Sequence, residues 1–251
     1  MTTIVVTGGT GTLGRLVVER LTADGHDVRV LSRHSRPYAV DLRAGGPGLD
    51  TALDGVDTVV HCATAPRGDE DAARRLIAAA RRAGIGHLVY ISIVGVDRVP
   101  LGYYRTKLAV ERLVEESGLG WTVLRTTQFH DLILSLVRGA ARLPVMPVPS
   151  GISSQPIEAA EAADRLAELA TAAPAGRVPD MGGPEALSFG EFAELYLRAS
   201  GRRRLRVPLP LPGRVARALR EGGNLTPERA VGKGTFAEFL ARTEHARPSA
   251  R

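Results

Sequence analysis

Near the N-terminus a β-branched run, Thr3 to Thr7, passes into an amphipathic segment, Leu13 to Ala23, through Thr7-Gly8-Gly9-Thr10-Gly11-Thr12-Leu13-Gly14. Strand, glycine turn and helix in that order are the context in which such a motif is informative. Leu13, Leu16, Val17 and Leu21 recur at helical spacing and supply the face that packs. Gly8 can take a tight turn, Gly11 brings backbone close to a ligand without a Cβ between, and Gly14 lets helix and strand approach. The N–H groups that open the helix, around Thr10, Thr12 and Leu13, carry a partial positive charge suited to a pyrophosphate. The motif alone also fits a glycine-rich turn between packed elements. Its flanks favour a dinucleotide site.

The end of the second strand, Val28 to Leu31, decides which dinucleotide. A carboxylate there accepts hydrogen bonds from a ribose 2′-hydroxyl, whereas this chain has Ser32-Arg33-His34. No carboxylate repels a phosphate, and the Arg33 guanidinium can pair with one, with Arg36 as a second contact. The expectation is NADP(H), with Ser32 and Arg33 at the adenosine ribose. The alternative makes Arg33 one more surface arginine.

Strands alternate with helices over the first two-thirds of the chain, which predicts an α/β fold with a doubly wound parallel sheet. Further strands are expected at Tyr38–Val40, Val56–Cys62, Leu88–Ile91 and Trp121–Leu124, with helices at about 69–83 and 103–117. Beyond Leu124 the alternation weakens. The prolines of Leu143 to Gly151 exclude a helix and mark a loop or boundary. Helical patterns resume at Ala159–Ala172, Ser188–Ala199 and Val215–Arg220, with a short strand near Arg177 to Asp180 and a polar tail from Arg242. One domain over 1–251 is expected, with a small C-terminal substrate lobe built mainly from about 130–160 and 181–240. Its Leu, Val, Pro and Met residues around 132–148 suit an apolar pocket and ordinary core packing equally.

The net charge is +6, and all but Lys107 and Lys233 of the 33 basic residues are arginine. They are spread along the chain, and the densest group, Arg202-Arg203-Arg204 with Arg206, has no aromatic neighbours for base stacking, so no nucleic-acid partner is expected. A single cysteine and scattered histidines offer neither an internal disulfide nor a metal cluster. The N-terminus lacks the pattern of a secretory signal, and no apolar run is long enough to span a bilayer, so a soluble cytoplasmic protein without a membrane partner is expected. Nothing in the sequence speaks to oligomeric state.

Tyr103 and Lys107 are four residues apart and share a helical face. An ammonium beside a phenol favours the phenolate and can reach a ribose hydroxyl, turning tyrosine into an acid/base near neutral pH. Tyr104 lies off that face, where it packs or lines an entrance.

With Thr7-Gly8-x-x-Gly11-x-x-Gly14, Asp41-Leu42, Cys62-Ala63-Thr64, Tyr103-x-x-x-Lys107 and Leu124-Arg125-Thr126-Thr127-Gln128-Phe129, the chain resembles the atypical short-chain dehydrogenase/reductase proteins of the NmrA-like, NAD(P)-binding kind. The resemblance is strongest to Phe129 and looser through Met181-Gly182-Gly183-Pro184-Glu185. It implies a Rossmann-type core, Asp41 near the adenine, Ala63 and Thr64 near the cofactor ribose, and Thr127, Gln128 and Phe129 near the nicotinamide or substrate. Asp41 reads equally as a strand-end turn residue, and Cys62 as a small buried strand residue. The wider superfamily has two serines where this chain has Ser92-Ile93. Ile93 then occupies the substrate-facing position and the Ser-Tyr-Lys set is incomplete, with Ser92 either at the nicotinamide or structural.

The expected function is an NADP(H)-dependent oxidoreductase passing hydride to or from a small apolar carbonyl or quinone. Tyr103 is its acid/base, and Lys107 holds the ribose and lowers the tyrosine pKa. The alternatives are an NADP(H)-sensing binding protein without turnover, and a redox-neutral isomerase, epimerase or dehydratase on the same fold.

Overall fold

A computed structural model describes residues 1–65 and 67–245. In chain order the elements are β1 (Thr3–Thr7), α1 (Thr12–Ala23), β2 (Asp27–Leu31), α2 (Pro47–Leu53), β3 (Thr58–His61), α3 (Asp69–Arg82), β4 (His87–Ile93), α4 (Gly102–Glu115) and β5 (Gly120–Thr126). There follow α5 (His130–Ala140), β6 (Val145–Pro149), β7 (Ser153–Ser154), α6 (Ala159–Thr171), β8 (Gly176–Arg177), β9 (Leu187–Ser188), α7 (Phe189–Ala199), β10 (Leu205–Leu209), α8 (Arg214–Arg220) and α9 (Phe236–His245). They divide into two compact units.

The first unit, residues 1–96, 102–125 and 159–179, is built on a six-stranded parallel sheet in the order β2-β1-β3-β4-β5-β8. Its central strands read as unbroken apolar runs because helices cover both faces: Ile4, Val5, Val6, Val59, Val60, Leu88 and Val89 are all buried. Val5, Val59, Leu88, Tyr90 and Val123 pack with Leu49 and Leu53 of α2, Leu76 of α3, and Val110 and Val114 of α4. On the other face α1 and α6 lie against each other, tied at the surface by Arg20 and Asp164 at 2.6 Å. This is the Rossmann-type α/β architecture that the alternation predicts.

The second unit comprises residues 97–101, 126–158 and 180–251, of which the described part ends at 245. Ile133 and Leu134 of α5, Phe192 and Tyr196 of α7, Phe236 and Leu240 of α9 and Met146 of β6 form its core. The parallel pair β6–β10 and the antiparallel pair β7–β9 flank it. Ser188 and Glu191 close a reciprocal capping box at the start of α7.

Several expectations need correction. Tyr38–Val40 is not a strand. Only Ala39 bridges to Ser32, because Ser35 Oγ lies within hydrogen-bond distance of the Val30 and Tyr38 carbonyls, at 2.9 and 3.1 Å, and the Ser32 hydroxyl accepts from the His34 and Ser35 amides, which curls the chain into a turn. The stretch around Pro147 is not merely a loop: Val145–Pro149 is a strand, tolerated because its partner β10 is a short exposed strand that itself carries Pro208. The strand expected near Arg177 to Asp180 is Gly176–Arg177, at the sheet edge. Arg242 to His245 belong to α9 and not to a tail, since Phe236 and Leu240 bury its face; the rest of the expected tail lies outside the described residues. Helices α2 and α5 were not foreseen. Leu132 and Leu136 of α5 are about half exposed, at 49% and 48%, and blur the polar face that would have revealed the helix.

Candidate active site

The glycine turn is shaped by what its residues lack. Gly8 has φ +67°, and a Cβ on it would lie 2.7 Å from the Ala63 Cα just beyond β3. A Cβ on Gly14 would lie 2.2 Å from the Gly8 carbonyl oxygen, so the first turn of α1 sits directly on the loop. The close approach is therefore helix to turn, made possible by two glycines. Gly11 caps α1 in extended conformation, with no side-chain cap and no acidic residue in the first turn. Thr10, Gly11 and Thr12 are exposed while Leu13 is buried. Helix N–H groups left without acceptors suit an anion, and the cradle fits a dinucleotide pyrophosphate.

At the end of β2, Ser32 is buried and holds the turn through its hydroxyl, while Arg33 and Arg36 are exposed. Among the described residues neither arginine is paired with a carboxylate. Asp41 accepts from the Arg43 amide at 2.9 Å and pairs with its guanidinium at 3.3 Å. The Arg43 hydrogen bonds hold the Asp41 carboxyl below its usual pKa, and the nearby Arg33 charge adds to this. Asp41 thus has a turn-stabilising job in this structure.

A row of polar side chains crosses the C-terminal ends of the strands. Thr7, His61 and Tyr90 are in register across β1, β3 and β4. Thr7 Oγ1 lies 2.7 Å from His61 Nδ1 and accepts from the Ala63 amide at 3.2 Å. The His61 ring stacks on Tyr90 at 5.4 Å, and Lys107 Nζ sits 4.9 Å from the Tyr90 ring centre. Burial pushes the His61 pKa down to about 3, with the Lys107 charge adding, so this imidazole is neutral.

Lys107 is 4% exposed and donates to the Ile91 carbonyl at 3.3 Å. Burial pushes its pKa down to about 8, against the upward pull of Asp69, Cys62 and Glu111. One helical turn on, Glu111 makes a two-pronged pair with Arg125 at 2.8 and 2.6 Å, both side chains buried, which pins α4 to β5. Tyr103 is 37% exposed, and its hydroxyl lies 3.1 Å from Thr64 Oγ1. Burial raises its pKa, the Thr64 hydrogen bond lowers it and the Asp69 charge raises it. Helical spacing led to the expectation that Lys107 depresses this phenol; here Lys107 lies over Tyr90 instead, and the Tyr103 proton is held more tightly than usual. Tyr104 is buried and packs.

Ser92 calls for a second correction. Counting by two along β4, it shares a face with Tyr90, beneath Lys107, whereas Ile93 faces the opposite way. The serine present is therefore on the side of the sheet that carries Tyr103 and Lys107. Its side chain is 1% exposed and its hydroxyl has no hydrogen-bond partner among the described residues, an unusual state for a buried group. Cys62 is partly buried, and burial pushes its thiol up to about 12.

Gly8, Gly11, Gly14, Ala63, Thr64, Ser92, Tyr103 and Lys107 all belong to the first unit. Gln128 belongs to the second, where its side chain accepts from Ser154 Oγ at 3.2 Å. Asp69 and His61 escaped the sequence reading. Asp69 opens α3, and its carboxylate accepts from Thr64 Oγ1 at 2.8 Å and from the Ala65 amide at 2.6 Å. Its position five residues after Thr64, at the foot of a helix, was the available signal.

Residues 8–135 match the family described as NAD(P)H-binding. A (4-alkanoyl-5-oxo-2,5-dihydrofuran-3-yl)methyl phosphate reductase of Streptomyces griseus is 33% identical over 79% of this chain and 74% of its own. Among solved structures, an Escherichia coli NADPH-dependent quinone oxidoreductase complexed with NADPH superposes with a TM-score of 0.79 at 22% identity, over 95% of this chain and 99% of that one. A UDP-N-acetylglucosamine 4-epimerase of Bacillus cereus superposes with a TM-score of 0.72, also at 22% identity, over 100% and 99%. Both structural likenesses establish the fold. No helix among the described residues is long and apolar enough to cross a membrane. With its glycine cradle, parallel sheet and matching sequence, the chain belongs to the NAD(P)H-binding family, among relatives that include named reductases.

Proposed function

We propose that this chain is an NADP(H)-dependent oxidoreductase acting on a small, apolar carbonyl or quinone, with Tyr103 as proton donor. The observation that carries the reading is the grouping of Ser92, Tyr103 and Lys107 on one side of the sheet at the end of β4, in the unit that bears the glycine cradle. Bound NADP(H) supplies or accepts the hydride. The turn from Gly8 to Gly14 holds the pyrophosphate on the exposed N–H groups of α1, and Arg33, with Arg36, takes the 2′-phosphate. Lys107 is fixed by the Ile91 carbonyl and the Tyr90 ring, which leaves an ammonium N–H for ribose hydroxyls. Tyr103, which is 37% exposed, protonates the substrate oxygen. The raised Tyr103 pKa keeps the phenol loaded at neutral pH. The named activity of the Streptomyces griseus reductase agrees with this reading.

The test is kinetic. Tyr103→Phe should bind NADPH with unchanged affinity and lose about 10²–10⁴-fold in kcat on a panel of aldehydes, ketones and quinones. Full turnover by that variant would remove Tyr103 from the chemistry. Arg33→Ala should weaken NADPH about tenfold and leave NADH unchanged; equal effects on the two would reassign Arg33 to the general surface.

A further inference from the structure

The hydrogen bonds around Tyr103 have a direction, set by counting donors. Thr64 has one hydroxyl proton and Asp69 carries a carboxylate, which only accepts. At 2.8 Å from Asp69 Oδ2, Thr64 Oγ1 spends its proton there. Toward Tyr103, 3.1 Å away, it can then only accept, so the phenol donates to it. The other Asp69 oxygen is held by the Ala65 amide at 2.6 Å, which fixes the carboxylate against the loop. Asp69 keeps 6% of its surface exposed. Other titratable groups around this end of the sheet are Lys107 and Glu111 on the same helix as Tyr103, Tyr90 on β4, His61 and Cys62 at the end of β3, and Arg67, Glu70 and Asp71 around the start of α3. Among the described residues only Thr64 hydrogen-bonds the Tyr103 hydroxyl.

We propose that Asp69, linked through Thr64, is the proton terminus of Tyr103, so that the three residues form a relay between substrate oxygen and solvent. The proposal rests on the oxidoreductase reading above. In the oxidation direction the substrate O–H proton passes to Tyr103 Oη while the C–H bond gives its electron pair, as hydride, to the oxidised nicotinamide. The O–H electron pair becomes the carbonyl π bond. The original Tyr103 proton moves to Thr64 Oγ1, the Thr64 proton moves to Asp69 Oδ2, and the neutral acid returns it to solvent. Reduction runs the same transfers backward, with a solvent proton entering at Asp69. Thr64 and Asp69 are positioning residues here, acting on substrate only through Tyr103.

The first measurement needs no substrate. In full-length protein with ¹³C-labelled tyrosine, five residues in all, the Tyr103 ring signal is assigned by its loss in Tyr103→Phe and followed through its ionisation. Asp69→Asn keeps an oxygen for the Ala65 amide but presents an NH₂ to Thr64, which reverses the chain, and it removes a negative charge. Its Tyr103 midpoint should fall by about one pH unit, while Thr64→Ser leaves it unchanged. An unmoved midpoint in Asp69→Asn overturns the link. In turnover, Thr64→Val should lose about 10–100-fold in kcat with NADPH affinity intact, and Thr64→Ser should restore it. The acid limb of the oxidation pH profile should disappear in both Thr64→Val and Asp69→Asn. Lost activity with an unchanged profile would make the pair structural and overturn the relay. An inactive Tyr103→Phe beside a fully active Thr64→Val would defeat the relay alone; an active Tyr103→Phe defeats the reading beneath it.

Discussion

Helices α1 and α3 begin in opposite ways, although each starts at a glycine without a side-chain cap. Each leaves backbone N–H groups without intrahelical acceptors. In α1 no acidic residue enters the first turn, and the exposed Thr10-Gly11-Thr12 edge keeps its positive end open. In α3 the first turn is Asp69-Glu70-Asp71, so the chain supplies its own anions. One of them, Asp69, is bent back onto Thr64 and Ala65 and reaches the tyrosine site. On the proposed function, the same local device serves to hold a ligand in one place and to organise a reacting group in the other. The presence or absence of acidic residues in the first turn decides between them.

The largest test of the contrast is Gly14→Ala. Its Cβ would meet the Gly8 carbonyl oxygen at 2.2 Å, and backbone on both sides has no rotamer by which to escape. A loss of at least about 2 kcal/mol in stability is expected, together with loss of NADPH binding, read by thermal unfolding and titration. Retention of both would mean that the cradle is not tight.

A second test uses His61, which joins the two ends of the site through Thr7 and Tyr90. Its folded pKa lies near 3, well below the 6.5 of an unfolded histidine, so between those values the unfolded chain binds the extra proton. Stability from this group is therefore full above pH 6.5 and falls as pH drops toward 3. Urea midpoints measured across that window should slope less steeply in His61→Gln than in the wild type. Parallel slopes would show that the imidazole is not held neutral.

Thr12→Asp places an acid in the first turn of α1 and should pull stability and binding apart. The helix gains about 0.3–1 kcal/mol while NADPH affinity falls about tenfold through repulsion of the phosphates. A variant that gains stability without losing affinity would move the pyrophosphate elsewhere. The smallest effect is expected from Asp71→Asn in α3, where an exposed charge contributes about 0.3–1 kcal/mol at low salt and nothing to NADPH affinity.

Much of the nucleotide-binding unit was legible in advance because its signals are local. Gly8, Gly11 and Gly14, the apolar face of α1, and the apolar runs of β1, β3 and β4 each need only a few consecutive residues to be read. The second unit was harder. Leu132 and Leu136 stay exposed on α5, and β6 becomes a strand only because β10, some 60 residues later, lies beside it. At the site, the spacing of Tyr103 and Lys107 was visible, but not the fact that Lys107 lies over Tyr90 while Tyr103 turns to Thr64. Reading Ser92-Ile93 as a pair of positions suggested a missing serine; the alternation along β4 puts Ser92 on the Tyr90 face.

By itself the sequence determined that this chain binds a dinucleotide, because a glycine turn acts through the absence of side chains, and absence is recorded residue by residue. Its charge pattern also determined which helix end is left open. Only the tertiary structure decided how protons are held around Tyr103. Burial of Lys107 and Asp69, and the 2.8 and 3.1 Å contacts through Thr64, bring together residues from α4, α3 and the loop after β3. The hydrogen-bonding direction of such a group depends on distances between segments, which no local pattern encodes.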